Sequence, residues 1–374
     1  MVSKLVKTLD EVGYGVVGPL LEPLLADRVR SRLLRMWEER ETQPLPGDSE
    51  SKRSFDRIRP EFARLHLEDA VFGYAALQAD VARLGLEIIG DEVNLGWSQC
   101  YIKAGGGDPY TRIPWHQDAY YAVTEGKGYQ VWIALEDLSA RGGPLSFAVA
   151  PPDNAILTHR WSEELDFWEC EPEPPYEELL LGRGQGVCFT TYNPHRSSTN
   201  YEDAPRVGLS LALAEPGVRL KQNGELVGDR IPLVRQGKPV FDLVLDFARN
   251  GNVEDTAHPG WGVIEEIAEL WPGSRDNLKV ALPRLVEAAQ KGTEEEVGLA
   301  IGGLLTSHLR GKRVNGDLVS ARYGVAELRR ESGDMLAAGR VADALSLLYR
   351  LREVDPYDEY LLKMLPQVLE EASP

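Results

Sequence analysis

In the stretch RIPWHQDAYYAV, residues 112–123, a histidine and an aspartate stand two apart inside an aromatic run. Alternate side chains of an extended strand share a face, so His116 and Asp118 are expected to project together while Gln117 points away. An imidazole and a carboxylate on one face make two legs of a ferrous site. A second, distal histidine would complete it and leave three coordination positions open for substrate-like ligands and O2. The chain has six histidines, enough for an H-x-D pair to arise by chance, so the pair means little without that third ligand. His66 falls in a helical pattern, His159 after a proline-rich loop, and His258 and His308 in a helical tail. His195 instead ends a β-rich run, in CFTTYNPHRSSTNYEDAPRVGLSLALAEP, where it begins the pattern H-x-S-x-x-N with Ser197 and Asn200.

Arg206 opens the run that follows. Along it Val207, Leu209, Leu211 and Leu213 share one face, and Arg206, Gly208, Ser210 and Ala212 share the other. Small residues beyond an arginine predict a cavity with a guanidinium at its end. Such a cavity suits a dicarboxylate, because arginine makes a planar two-pronged pair with a carboxylate that lysine does not reproduce.

The elements that must position these residues follow from hydrophobic periodicity. Residues 1 to about 90 read as mostly helical, with LLEPLLADRVRSRLLRMWEER and YAALQADVARLGLEIIG apolar at spacings of three and four, separated by the turn-rich PLPGDSESKRS. From about 94 to 245 short β-rich runs (WSQCYIK, YQVWIALEDL, GVCFTTY, RVGLSLALAE) alternate with Gly, Pro and Asn, as in a sandwich or barrel. Asn223-Gly224 in RLKQNGELVG predicts a tight hairpin. Beyond about 250 the pattern is helical again. Its last part, 335–365, resembles a single tetratricopeptide-type hairpin through Gly339, Ala344-Leu345 and Asp355-Pro356. The predicted fold class is mixed α/β, mainly β, divided into a domain at 1–248 and a helical domain at 249–374.

Composition narrows the functions. A formal net charge of −18 repels phosphate backbones and anionic lipid, which argues against nucleic-acid and membrane partners. Cys100, Cys170 and Cys188 are far apart with no C-x-x-C, so neither a disulfide framework nor a thiolate zinc site is expected. The N-terminal MVSKLVKTLDEVGYGVV lacks the apolar core of a secretory signal, and a cytoplasmic location is expected. The segment THRWSEELDFWECEPEPPYEE, residues 158–178, is rich in aromatic and acidic residues. As a loop closing over a site it would favour a cationic or hydroxyl-rich small molecule.

The motifs WHQDAYY, VWIALEDL, RGGPL and HRSSTNYEDAPR, with GYGVVGPLLEPLLADRVRSRL near the start, together resemble the phytanoyl-CoA dioxygenase family of Fe(II)/2-oxoglutarate oxygenases over roughly residues 10–215. The resemblance implies a double-stranded β-helix, or jelly roll, in the cupin manner. It implies that His116, Asp118 and His195 bind Fe(II), and that Arg206 takes the distal carboxylate of 2-oxoglutarate with Ser197 nearby. Gln99, Lys103 and Trp132 resemble cavity-lining positions. The implied reaction consumes O2, converts 2-oxoglutarate to succinate and CO2, and most commonly hydroxylates an unactivated C–H. The chain departs from the family in reading AVAPPDN where PGSH is usual. Asp118 is retained, which disfavours the halogenating branch. Two other readings compete. A non-oxidative metal-dependent isomerase or epimerase gives Arg206 no role, and an interaction protein acting through the helical tail would not need an intact ligand set.

Overall fold

The computed structural model describes residues 3–41, 65–120, 123–149, 155–165, 167–222, 225–227, 230–250, 255–269, 282–283, 285–290, 292, 294–313, 329–354 and 359–372. Five helices and a strand come first: α1 (Lys4–Val12), β1 (Tyr14–Val17), α2 (Pro23–Glu41), α3 (Leu65–Glu68), α4 (Ala70–Ala76) and α5 (Ala79–Ile88). Ser3 starts α1 by accepting the Val6 N–H at 3.1 Å, and Gly13 ends it in the left-handed region at φ 84°.

The β region follows as β2 (Val93–Lys103), β3 (Ile113–His116), β4 (Val123–Glu125), β5 (Gly128–Ala134), β6 (Leu145–Ala148), β7 (Arg160–Ser162), β8 (Phe167–Glu169) and β9 (Tyr176–Leu179). It continues through β10 (Gly186–Phe189), β11 (His195–Ser197), β12 (Arg206–Ala214), β13 (Arg219–Gln222), β14 (Glu225–Val227), β15 (Ile231–Arg235) and β16 (Lys238–Pro239). The larger sheet runs β1-β10-β5-β12-β2-β15-β16 and the smaller β3-β11-β6-β9. All their pairings are antiparallel, giving the expected jelly roll. The strands on either side of Asn223-Gly224 pair with Gln222 opposite Glu225, while the two turn residues themselves lie outside the described residues.

Alternation along β12 explains how the sheet sits. Val207, Leu209 and Leu211 are fully buried on its outer face, and α5, with Val81, Ala82, Leu84 and Ile88 buried, packs on the neighbouring β2 and β15. Each such side chain stabilises the fold by roughly 1.5–3 kcal/mol. The inner face meets the smaller sheet across one core, where Tyr14, Trp132, Val187 and Phe189 join Leu145, Phe147 and Leu179. Cys100, Cys170 and Cys188 are buried free thiols.

By internal contacts the chain forms two units, Met1–Met36 with Lys52–Leu309, and Trp37–Ser51 with Arg310–Pro374. The division expected at 248/249 falls inside α6 (Val240–Asn250), within the first unit. There α6 packs on α7 (Pro259–Glu269) so closely that a Cβ on Gly260 would stand 2.2 Å from the Leu243 carbonyl oxygen. Helix α8 (Glu294–Arg313) crosses α4 in the same way, with Gly302 against the backbone of Ala70 and Tyr74 and Gly298 against the Tyr74 ring. In the second unit, α9 (Val341–Val354) and α10 (Glu359–Ala372) pair around buried Leu348 and Val368. Gly339, at φ 70°, makes the turn into α9, whereas Asp355-Pro356 lies outside the described residues.

Candidate active site

Antiparallel pairing of β3 with β11 places His116 directly opposite His195. The two rings approach to 4.3 Å between centroids. Each imidazole is oriented by its own backbone: Nδ1 of His116 donates to the Pro114 carbonyl at 2.9 Å, and Nδ1 of His195 to the Asn193 carbonyl at 3.0 Å. Both Nε2 lone pairs are thereby left facing the interior. Asp118 Oδ1 lies 3.6 Å from Nε2 of His116 and 3.9 Å from Nε2 of His195. The three ligand atoms lie within 4.8 Å of one another, a spacing that can close on a single ion. Burial pushes His116 down to about 3, helped by the neighbouring His195, and His195 down to about 4. Both rings are therefore neutral, the form that binds metal, at any ordinary pH. Burial also raises the Asp118 carboxyl, an effect opposed by His116.

The reason His116 and Asp118 converge differs from the expected strand alternation. Strand β3 stops at His116, and Asp118 begins a 3-10 turn, Asp118–Tyr120, that swings its carboxylate back. Gln117 is turned into the interior. It is buried, donating Nε2 to the Ala155 carbonyl at 2.9 Å and the Tyr192 carbonyl at 2.6 Å while accepting the Leu157 N–H at 2.7 Å. It thus ties the loop before β7 and the loop before β11 to the H-x-D turn. His159 fills the remaining corner, with its ring stacked on Tyr120 at 4.1 Å and the Gln117 N–H reaching its Nε2 at 3.4 Å.

The aromatic, acidic stretch 158–178 lies over this group as the β7–β8 hairpin. Phe167 meets the His116 ring edge-on at 5.1 Å, and Trp168 approaches Tyr120 at 5.5 Å. Trp161, Trp168 and Tyr120 present about 46%, 37% and 37% of their surface to solvent, an aromatic mouth beside the three ligands.

Arg206 is buried at the start of β12, above the Trp132 indole with 5.0 Å from its guanidinium carbon to the ring centre. Nη2 donates to the Gly143 carbonyl at 3.1 Å, whereas Nε and Nη1, equally buried, have no hydrogen-bond partner. Two buried guanidinium donors without partners call for an acceptor, and a carboxylate is one that arginine pairs with well. Burial pushes Arg206 down to about 10, which leaves it charged at neutral pH. The predicted cavity is partly filled: a Cβ on Gly208 would lie 2.1 Å from the Trp132 ring, so that glycine makes room for the indole which supports the arginine.

Lys103 stands opposite Arg206 in the β2–β12 register and is buried with its Nζ on the Thr111 carbonyl. Gln99 lies further along β2 opposite Ser210, its Oε1 accepting from Trp97 Nε1 at 3.3 Å and from the Tyr101 hydroxyl at 3.4 Å. Ser197 is buried one pleat beyond His195, opposite Leu145 of β6. Both halves belong to one interior, since Phe189 and Trp132 share a core cluster and Phe189 touches His195 at 4.8 Å.

Two further residues support the site from outside the ligand group. Asn200 is fully buried and clamps the β11–β12 turn, donating to the Lys103 carbonyl at 3.2 Å and the Ala204 carbonyl at 2.8 Å. Glu136 accepts the Val207 N–H at 2.6 Å and pairs with Arg30.

A jelly roll whose interior carries a His/Asp/His group and a buried, half-paired arginine defines a class of metal-dependent enzyme. The family model described as Phytanoyl-CoA dioxygenase (PhyH) matches residues 9–208, more than half of the chain. The chain belongs to that family of iron- and 2-oxoglutarate-dependent oxygenases. Similar solved structures include the apo form of ThoJ, a non-heme monooxygenase, at 18% identity and TM-score 0.49, with 61% of this chain and 84% of that one covered. Another is the epimerase SnoN in complex with Fe3+, alpha ketoglutarate and nogalamycin RO, at 17% identity and TM-score 0.47, covering 59% and 86%. A third is EvdO2 from Micromonospora carbonacea var. aurantiaca, at 15% identity and TM-score 0.43, covering 60% and 94%. No curated protein sequence matches the chain.

Proposed function

We propose that the protein is an Fe(II)/2-oxoglutarate-dependent dioxygenase that hydroxylates an unactivated C–H of a small polar molecule, cationic or rich in hydroxyl groups. His116, Asp118 and His195 hold the iron, Arg206 takes the distal carboxylate of 2-oxoglutarate, and Ser197, Gln99, Lys103 and Trp132 line the cavity. The observation that carries this reading is the guanidinium of Arg206, whose Nε and Nη1 are buried without partners in the interior that also holds the three ligand atoms. A buried donor left unsatisfied costs about 1–3 kcal/mol, and a bound carboxylate removes that cost. A non-oxidative isomerase built on the same ligands would leave it in place.

When bound, iron and 2-oxoglutarate supply the oxidation, with O2 reduced and the cosubstrate released as succinate and CO2. The protein's own residues do the rest. The Pro114 and Asn193 carbonyls hold both imidazoles in the tautomer that presents Nε2. Asp118 adds one negative charge and closes one side of the ligand set. Phe147, Phe189 and Phe167 wall the histidines against water. Trp132 fixes the plane of the guanidinium. The acidic β7–β8 hairpin, with Glu163, Glu164 and Glu169 around its exposed indoles, supports a cationic or hydroxyl-rich substrate.

All of these residues fall within 1–248. We assign the chemistry to that part and a service role, in substrate or protein-partner recognition, to the helices of 249–374. Among the described residues no helix is long and apolar enough to cross a membrane. The test is anaerobic addition of Fe(II) and 2-oxoglutarate to the full chain. A weak visible charge-transfer band should appear, and should be lost with His195→Ala; a band that persists in that variant rules out His195 as the distal ligand.

A further inference from the structure

Beside Arg206 the pocket holds a second cation whose surroundings are those of a neutral amine. Lys103 is 3% exposed, sits opposite Arg206 in the β2–β12 register, and has its Cδ 3.0 Å from where a Cβ on Gly143 would stand. Gly143 is also the residue whose carbonyl receives Arg206 Nη2, so the two side chains converge on one turn. An ammonium carries three donors, yet the Lys103 Nζ has the Thr111 carbonyl as its hydrogen-bond partner, and among the described residues no carboxylate pairs with it.

The charges facing it are few. Arg206 comes from β12, and Tyr101 shares the Lys103 face of β2. Asp108 belongs to the turn that presents Thr111, and Glu136, following β5, is already shared between the Val207 N–H and Arg30. Two buried cations that converge on one turn repel each other. Burial, with Arg206 adding to it, holds the lysine well below its ordinary value. Arginine cannot yield its proton under these conditions; lysine can.

Resting on the reading of this pocket as the 2-oxoglutarate site, we propose that Lys103 is neutral in the empty pocket and gains a proton when the cosubstrate dianion binds. Lys103 and Arg206 then hold the distal carboxylate together, and cosubstrate binding takes up about one proton per site. The sign follows from linkage. The bound form holds one more proton than the free form at pH values between the free and bound lysine values, so affinity for 2-oxoglutarate falls as pH rises through that window. Below the window the lysine is already charged in the empty pocket and the dependence vanishes.

Isothermal titration calorimetry of the full chain loaded with Mn(II) tests this without turnover. 2-Oxoglutarate is titrated at one pH in buffers that differ in ionisation enthalpy. The observed enthalpy should vary linearly with buffer ionisation enthalpy, with a slope of about one proton taken up. Lys103→Met should abolish that slope and weaken binding by roughly tenfold. Lys103→Arg, which stays charged, should abolish the slope while keeping affinity within a few-fold, and it guards against a variant that merely folds badly. A zero slope in the parent, or an undiminished slope in Lys103→Met, overturns the inference and leaves the cosubstrate reading standing. Absence of any 2-oxoglutarate heat in the parent overturns both.

Discussion

At the scale of single residues, Arg206 and the two histidines make separable predictions. Arg206→Lys keeps a positive charge but loses the paired fork, so the KM for 2-oxoglutarate should rise by an amount equivalent to about 2 kcal/mol, while the KM for the primary substrate barely moves. Equal changes in both constants would place the arginine in the substrate's path instead. The histidines predict an acid response of the metal-free protein. Their folded values lie below the ordinary 6.5, at about 3 and 4, so the unfolded chain binds more protons between 6.5 and 4. Stability is fully present above 6.5 and falls on acidification through that window, at up to about 1.4 kcal/mol per pH unit for each ring. Urea midpoints in chelator at pH 7 and pH 5 should show the loss, and His195→Ala should reduce it. The sequence singled out His116, Asp118 and His195, and the fold brings these three together although Asp118 lies in a turn rather than the strand. Gln117 and Asn200 were not legible as clamps, since their partners at 155, 157, 192 and 103 come from segments that only the fold brings near.

At the scale of elements, the informative pair is β12 and β5. Alternation along β12 was readable as a small-residue face, but what occupies that face depends on Trp132 one strand away. Gly208→Ala should push the indole off the position that supports Arg206, destabilise the protein by about 1–3 kcal/mol and weaken 2-oxoglutarate binding. Thermal melting and tryptophan fluorescence with and without cosubstrate would measure both; unchanged emission and affinity in the Gly208→Ala variant would show that the indole does not position the arginine. Short β3 illustrates the opposite limit. Periodicity suggested that the strand carries through Asp118, whereas the 3-10 turn that breaks it is fixed by Gln117 and by the Ala119 N–H on the Thr191 carbonyl at 2.9 Å, contacts invisible to a local pattern. The composition of 158–178 announced a loop over the site, and the hairpin with Phe167 on His116 fits that description.

At the scale of the whole chain, the helix–strand–helix order was legible from periodicity, but the place where packing divides was not. Change of pattern near 250 looks like a domain edge; the helices beyond it nonetheless complete the first unit through glycine contacts that depend on three-dimensional approach. Gly302→Leu should therefore destabilise that unit by about 3 kcal/mol or more, since its side chain would enter the backbone of α4 at Ala70 and Tyr74. A midpoint in denaturant equal to the parent's would mean that the crossing is dispensable. The same crossing sets an order of events during synthesis. His116, Asp118, His195 and Arg206 have all been added to the chain by residue 206, yet the helix that covers α4 emerges only with residues 294–313. At about 5–20 residues per second, the nascent His/Asp/His group waits several seconds on a scaffold whose helical face is still bare. Iron offered early meets an unfinished protein, and a fragment stopped at the end of the β-rich region keeps that bare face permanently.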